Sequence, residues 1–141
     1  MNKDDLLRRT KEFAHRGVKL CLALPQNDKH LKIQLIKCST SAVANYSSSC
    51  VAPSKSHFAS KLSIVIEEID ESCFWLEFII NENLLSEKQI MPLLNESKEL
   101  KAIFIASRNT VKNRTLENLS KGLSNRNNRL STIIYQSCIP F

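Results

Sequence analysis

A long stretch without helix-breaking residues constrains the fold of this chain more than any other feature. Between Lys55 and Asn83 there is neither Gly nor Pro, and apolar residues recur at alternating spacings of four and three. This spacing is typical of a helix packed against other helices, not of a β-strand. At about 1.5 Å per residue, the predicted helix is about 40 Å long. Its apolar seam consists of Phe58, Leu62, Val65, Ile69, Ser72, Leu76 and Ile79, with Ala59, Ile66, Cys73 and Ile80 beside it.

Three further helices are predicted, with short links between them. They cover about Asp5–Leu24, Lys29–Val51 and Ser86–Val111, and Pro25 and Pro53 mark two of the breaks. The predicted caps are Asp4 or Asp5, Asp28, Ser54 and Ser86, the last forming a capping box with Gln89. Four helices with short links favour an all-α, antiparallel up-down-up-down four-helix bundle over residues 5–112. Residues 113–141 are predicted to be a polar, basic C-terminal tail, partly disordered or a frayed helix.

The centre of the second helix is small, polar and weak in helix propensity. It runs Cys38-Ser39-Thr40-Ser41-Ala42-Val43-Ala44-Asn45. Small side chains let another backbone approach closely, and hydroxyls can bond to the carbonyl one turn back. Close packing is the interpretation we favour, and a hydroxyl-rich surface for phosphate is the alternative.

The charges alternate in blocks along the chain. The net charge is +6, and residues 1–66, 67–99 and 100–141 carry about +7, −7 and +6. Cationic ends can bind a polyanion such as RNA, or they can meet the acidic middle of the same or a neighbouring chain. The two alternatives are about equally supported. The candidate RNA-binding residues lie in the first helix and are Arg8, Arg9, Lys11, Arg16 and Lys19.

The long helix has a second apolar side opposite its seam. The candidate interface residues on that side are Ile64, Glu68, Glu71, Trp75 and Phe78, followed by Glu82. Apolar side chains rimmed by charge are typical of an interface, and carboxylates there favour a cationic partner. A patch that meets a different patch on a neighbouring copy closes into a ring, so we predict a ring-forming homo-oligomer. The alternative is that the C-terminal tail covers Trp75 and Phe78.

No pattern of residues predicts catalysis, a metal or a cofactor. The five Cys include no CxxC, and the two Gly exclude a glycine-rich phosphate loop. Glu67, Glu68, Asp70 and Glu71 lie on one helix without a Glu-x-x-His, which a carboxylate metal site in a bundle requires. We therefore expect no enzymatic activity. The charged start and the lack of a long apolar run predict a cytoplasmic protein without a membrane segment.

Several motifs, taken in order, resemble a known family. They are Arg9-Thr10-Lys11-Glu12-Phe13-Ala14, Leu24-Pro25, Ser41-Ala42-Val43-Ala44-Asn45-Tyr46, Ser54-Lys55-Ser56-His57-Phe58 and Glu67-Glu68-Ile69-Asp70-Glu71-Ser72-Cys73-Phe74-Trp75-Leu76-Glu77. Over about residues 6–112 the chain is similar to the four-helix bundle proteins encoded by intervening sequences in bacterial 23S ribosomal RNA genes. This resemblance implies a pentameric ring and a largely unassigned molecular activity. A related branch, the accessory variability proteins of diversity-generating retroelements, consists of basic pentamers that bind RNA and a reverse transcriptase.

One departure from that family bears on RNA binding. Family members commonly carry more Arg at the junction of the second and third helices, where this chain has Ser47-Ser48-Ser49-Cys50-Val51-Ala52-Pro53. We therefore expect a non-enzymatic ring that binds structured RNA through the first helix, with the basic tail as an auxiliary arm. The alternative is a protein-interaction scaffold with no nucleic-acid role.

Overall fold

The computed structural model describes the backbone of residues 1–137 and the side chains of residues 1–123. Within residues 1–137 it contains four α-helices and no strand, which confirms the predicted all-α bundle. The helices are α1 (Lys3–Ala23), α2 (Lys29–Ser49), α3 (Lys55–Asn81) and α4 (Glu87–Ser137).

In each pair of consecutive helices, the end of the first helix lies beside the beginning of the second. Lys61 Nζ of α3 donates to Asn45 Oδ1 of α2 at 3.4 Å, and Ser72 Oγ donates to Cys38 Sγ at 3.1 Å. Between α4 and α3, Arg108 donates to Ser63 Oγ at 3.5 Å, and Lys98 pairs with Glu77 at 3.0 Å. Neighbouring helices therefore run in opposite directions, consistent with an up-down-up-down topology. Because α1 also packs on α4, the bundle is closed.

The core forms where the predicted seams meet. Every residue predicted for the α3 seam is buried except Phe58, which is half-buried at the edge of the core. Tyr46 of α2 reaches across the bundle to Phe104 of α4, and the two ring centroids are 4.8 Å apart. The helical spacing in the sequence therefore identified the inner face of α3.

The small residues of α2 allow α1 to approach closely. A Cβ atom built on Gly17 would lie 3.1 Å from Ser39 Oγ, which leaves no room for a larger residue unless Ser39 moves. Ser39 is fully buried, and its hydroxyl donates to the Leu35 carbonyl at 2.7 Å. At Ser39, therefore, the structure supports close packing rather than a phosphate surface.

Two helix caps differ from those predicted. Helix α1 is capped by Asn2 rather than Asp4 or Asp5: Asn2 Oδ1 accepts from the Asp5 N–H at 2.9 Å, and Asp5 returns the bond to the Asn2 N–H. Asp28 holds the N-cap position of α2 but makes no side-chain capping bond. The sequence pattern placed the α1 cap within a few residues, because Asn2 and two aspartates stand close together there. It placed the α2 cap at the correct residue.

The other helix ends follow their capping residues. Ser54 accepts from the His57 N–H at 3.1 Å, and Ser86 and Gln89 form the expected capping box. Asn83 closes α3 in the left-handed region, with φ of 54°. The Leu84 N–H then bonds to the Ile79 carbonyl at 3.1 Å, which is the long hydrogen bond of a Schellman motif.

Helix α4 is much longer than predicted. We expected it to end near Val111, but its backbone remains helical to Ser137. Pro92 lies inside the helix without shifting its start from Glu87. Residues 113–137 therefore continue α4, whereas residues 138–141, including Cys138, lie outside the described part of the chain. The division into a bundle of residues 5–112 and an extension of residues 113–141 stays a prediction.

Candidate nucleic-acid and assembly surfaces

Helix α1 carries a cationic stripe on its outer side. Arg8, Lys11, His15 and Lys19 are all exposed, and their spacings of three and four place them on one face of the helix. Within the described part of the chain, Arg8 pairs only with Asp5 of its own helix, at 3.4 Å and in solvent. Lys11 and Lys19 make no ion pair among the side chains of residues 1–123. These positive charges are therefore accessible to a polyanion.

Arg9, another residue of the predicted RNA-binding set, forms ion pairs with α4. Its Nε donates to Glu96 Oε1 at 2.6 Å and its Nη2 to Glu96 Oε2 at 2.9 Å, while Nη2 also pairs with Glu99 at 2.8 Å. The hydrogen bonds to Glu96 and then Glu99 raise the pKa of the Arg9 guanidinium above its ordinary value. Its charge is thus used in joining α1 to α4, whereas Arg8, Lys11 and Lys19 keep their charges on the outer surface. Arg16 is half-buried and does not share the outer stripe.

A shallow groove runs between α1 and α2 beside the cationic stripe. It has a volume of about 460 Å³ and is lined by Lys11, Ala14, His15, Val18, Thr40, Val43, Ala44 and Ser47. Two cationic or titratable side chains lie on its α1 edge, and hydroxyls lie on its α2 edge. Lys37 of α2 is also exposed. This side of the bundle therefore offers positive charge, hydroxyl donors and modest apolar surface together.

The outer side of α3 carries a cluster of three aromatic rings. The centroids of Phe74 and Trp75 are 5.0 Å apart, those of Trp75 and Phe78 are 5.9 Å apart, and those of Phe74 and Phe78 are 6.3 Å apart. Phe74 is 56% exposed and Phe78 is 38% exposed. Edge-to-face packing orders these rings without removing them from water. We call Phe74, Trp75, Phe78 and Ile64 the aromatic patch.

Carboxylates and one His frame the aromatic patch. Glu71 accepts a hydrogen bond from Trp75 Nε1 at 3.2 Å, and the His30 ring stands edge-on to Trp75 with centroids 6.0 Å apart. Trp75 is half-buried, with the rings of His30, Phe74 and Phe78 packed around its indole. Glu67 and Glu71 are exposed on the same side of α3, and Glu68 is half-buried. The predicted interface residues thus lie on one face of α3.

The sequence-based set missed Phe74. In the helical projection it lies about 40° to one side of Phe78, so it was not grouped with the opposite face. Its position four residues before Phe78 was the signal that could have identified it, since residues at that spacing are neighbours on a helix. Beside these rings lies a cavity of about 470 Å³, lined by Asn27, Asp28, His30, Leu31, Phe74, Trp75, Phe78, Glu82 and Leu84.

The C-terminal extension does not cover the aromatic patch within the described residues. Leu116 lies beside the first turns of α3, at Lys55 and Ser56, whereas Phe74 and Phe78 lie near the other end of α3. Because α4 runs antiparallel to α3, later residues of α4 lie still farther from the patch. Among the described residues, therefore, nothing from the C-terminal extension covers the rings of the patch.

Helices α1 and α3 lie diagonally opposite each other. Each packs on α2 and α4. The cationic stripe lies beside the α1–α2 groove, whereas the aromatic patch lies on α3 beside His30 of α2, and the two surfaces share no residue. One copy can present both surfaces at once, to two different partners.

Three of the four described cysteines belong to the core, and Cys50 is half-buried at its edge. Cys21, Cys38 and Cys73 are buried, and burial raises the pKa of the Cys21 and Cys38 thiols to about 11. Burial also raises the pKa of Cys73, whose Sγ lies 2.9 Å from Ser97 Oγ. Thiols held protonated in this way are poor nucleophiles and poor metal ligands.

Acidic residues on α3 do not converge on a metal site either. Asp70 forms an ion pair with Lys101 of α4, and this hydrogen bond raises the pKa of Lys101. Glu71 bonds to Trp75, as described above. Among residues 1–123 no group of three or more His, Cys, Asp or Glu side chains is placed to hold a metal ion. No helix in the described part of the chain is long and apolar enough to span a membrane.

Comparison with known proteins identifies the family of this bundle. A family model described as 23S rRNA-intervening sequence protein matches residues 2–106, which cover all of α1 to α3 and the first part of α4. The chain belongs to the 23S rRNA-intervening sequence protein family. This membership confirms the resemblance carried by the motifs of α1, α2 and α3. No curated protein matches the chain. The relation to the retroelement proteins stays a prediction.

A solved structure agrees with this family membership. The chain is similar to a protein with unknown function from the S23 ribosomal protein family of Bacteroides thetaiotaomicron VPI-5482, with 28% sequence identity and a TM-score of 0.70. The match covers 73% of this chain and 97% of that chain. The family model ends at residue 106, so the later part of α4 has no counterpart in it.

Proposed function

We propose that this member of the 23S rRNA-intervening sequence protein family is a non-enzymatic, ring-forming bundle that binds structured RNA through its α1–α2 side. The observation that carries the proposal is the exposed cationic stripe of Arg8, Lys11 and Lys19 beside a hydroxyl-lined groove. Contacts from such side chains to phosphates dominate protein–nucleic acid affinity. With no Phe, Tyr or Trp on this stripe, the chemistry favours shape and charge over base reading.

The aromatic patch supports the assembly part of the proposal. Phe74 and Phe78 are large apolar side chains in solvent, and Glu67 and Glu71 beside them favour a cationic partner. A contact between unlike faces of successive copies generates a ring when its rotation closes. The family resemblance implies that five copies close it.

Filter binding with a transcribed 23S ribosomal RNA fragment tests the RNA-binding part. We expect retention at 50 mM salt, and a loss of affinity of roughly 20–40-fold at 200 mM for about three phosphate contacts. The variant Lys11→Glu/Lys19→Glu removes two of these contacts and should abolish retention at 50 mM salt. The control Lys55→Glu/Lys88→Glu makes the same charge change at two exposed lysines elsewhere and should retain the RNA. Absence of retention by the wild-type protein at 50 mM salt refutes RNA binding.

The second candidate function is a protein-interaction scaffold whose positive charge is used in contacts between subunits. It is favoured by the block of acidic residues on α3, which balances the cations of α1. In that case Lys11→Glu/Lys19→Glu should lower the assembly mass measured by sedimentation, and the wild-type protein should not retain RNA. If the variant keeps its assembly mass but loses RNA, the cations serve RNA.

A further inference from the structure

Helix α4 carries a stripe of exposed leucines beyond the end of the bundle. Leu116, Leu119 and Leu123 are 64%, 57% and 55% exposed. Their spacing of three and then four residues places them on one side of the helix, at the a and d positions of a heptad. Three exposed leucines in a row are a continuous apolar face and not scattered single residues.

The leucine stripe continues the side of α4 that packs on α3. Val111, Thr115 and Leu116 line a cavity of about 290 Å³ together with the first residues of α3, including Lys55 and Ala59. Helix α3 begins at this level, so no helix of the described chain covers α4 beyond it. The backbone of α4 remains helical to Ser137, which is about 32 Å past Leu116. The stripe thus has the form of a helix–helix interface from which one helix is missing.

Between Leu116 and Leu123 the charges lie away from the leucine stripe, and Lys112 and Arg126 occupy the heptad positions that end it on either side. At about 100° per residue, Arg114 and Lys121 are on the side of α4 opposite the leucines. The positions that flank the stripe, Thr115 and Ser120, are uncharged. An acidic surface or an RNA phosphate would gain nothing from the leucines, whereas a second stripe of the same kind would bury them. Pairing two such helices over Leu116 to Leu123 leaves Arg114 and Lys121 on the outside.

We propose that the leucine stripe of α4 packs against the same stripe of a second copy of this chain. The helix of the second copy takes over the position that α3 has along the bundled part of α4. Each copy contributes Leu116, Leu119 and Leu123 to the seam, with side chains interdigitating as in a coiled coil. A helix of roughly three heptads is marginal alone in water, so pairing also supports its helical state. This proposal is independent of RNA binding and of the contact at the aromatic patch.

Sedimentation of the full chain tests this pairing. We expect Leu119→Glu/Leu123→Glu to halve the assembly mass at a fixed concentration, while the circular dichroism of the bundle is largely kept. The matched control Asn118→Glu/Lys121→Gln makes the same change in net charge on the opposite side of α4. It should keep the wild-type mass. An unchanged mass for Leu119→Glu/Leu123→Glu overturns the proposal.

Two further measurements separate this contact from the others. Phe74→Ala acts on the aromatic patch, so it should not prevent pairing through α4. A variant that combines Phe74→Ala with Leu119→Glu/Leu123→Glu should therefore have a lower assembly mass than either variant alone. If instead the wild type and Leu119→Glu/Leu123→Glu have equal mass and only RNA retention differs, the stripe serves RNA and the pairing is refuted.

Discussion

Truncation of Phe74 tests the assembly surface most directly, and the structure sets its magnitude. A Phe side chain buries on the order of 200 Å² when it is fully covered. Since Phe74 is 56% exposed on the single chain, contact with a neighbour can remove about 110 Å² more from water. At about 25 cal/mol per Å², this burial contributes about 2.8 kcal/mol to association. Each 1.4 kcal/mol is about tenfold in affinity, so Phe74→Ala should weaken each subunit contact about 100-fold.

The same change should leave folding almost untouched. Phe74 is outside the core, so the urea midpoint of the dissociated chain should shift little. Dilution series followed by mass photometry measure the dissociation constants of the wild type and Phe74→Ala. Val51→Ala is the matched control, because Val51 is 83% exposed in the link between α2 and α3 and lies away from the patch. If Phe74→Ala and Val51→Ala dissociate at the wild-type concentration, the aromatic patch is not the subunit contact.

Three further predictions concern the bundle itself and use urea unfolding. Gly17→Ala should destabilise the wild type by about 1 kcal/mol, because the added methyl presses on Ser39 Oγ. In the Ser39→Ala variant the same change should stabilise the fold by about 1 kcal/mol, because Ala has the higher helix propensity. Equal effects in both backgrounds would contradict this packing. Arg9→Met should cost about 2 kcal/mol by leaving Glu96 unpaired, and should leave the salt dependence of RNA retention unchanged. The Cys38 thiol has its pKa raised from 9.0 to about 11, so between pH 8 and 10 only the unfolded thiol ionises and stability falls by about 1.3 kcal/mol. Cys38→Ala should reduce this loss of stability between pH 8 and 10. If the variant and the wild type have the same pH dependence, the Cys38 thiol is not its cause.

The sequence predicted the fold well because helical periodicity reports burial directly. The α3 seam and the α2 residues Leu35, Cys38 and Tyr46 are buried as expected. Capping residues placed the starts of α3 and α4 correctly, since Ser54 and Ser86 have no competitors nearby. At α1, by contrast, Asn2 and two aspartates stand together, and local pattern could not decide which of them accepts the first N–H.

The sequence predicted the surfaces less well, because charge pattern does not show how two helices face each other. Arg9 has the same residue type as Arg8, yet one residue along a helix is a rotation of about 100°. That rotation turns Arg9 toward Glu96 on α4, so its charge is lost to an intrachain pair. Only the packing of α1 on α4 reveals this, and α4 is distant in sequence.

The length of α4 could not be judged from sequence for a related reason. Residues after Lys112 are rich in Asn and Ser, which have modest helix propensity, so a frayed or disordered tail was a reasonable expectation. The backbone nevertheless stays helical to Ser137. The helical spacing of the leucines at 116, 119 and 123 is the one sequence signal that agrees with a continued helix. Their lack of a partner emerged only once α3 was placed.

The two proposed surfaces of the bundle respond differently to salt, and this separates RNA binding from assembly. Contact through Phe74 and Phe78 is mainly apolar, and added salt does not screen it. Contact of Arg8, Lys11 and Lys19 with phosphate releases counterions and weakens steeply as salt rises. A complex of the protein with RNA should therefore lose its RNA between 50 and 200 mM salt while the protein assembly keeps its mass. The reverse order, with subunits dissociating first and RNA remaining on single chains, would mean that the cations and carboxylates hold the copies together and that our assignment of the two faces is wrong.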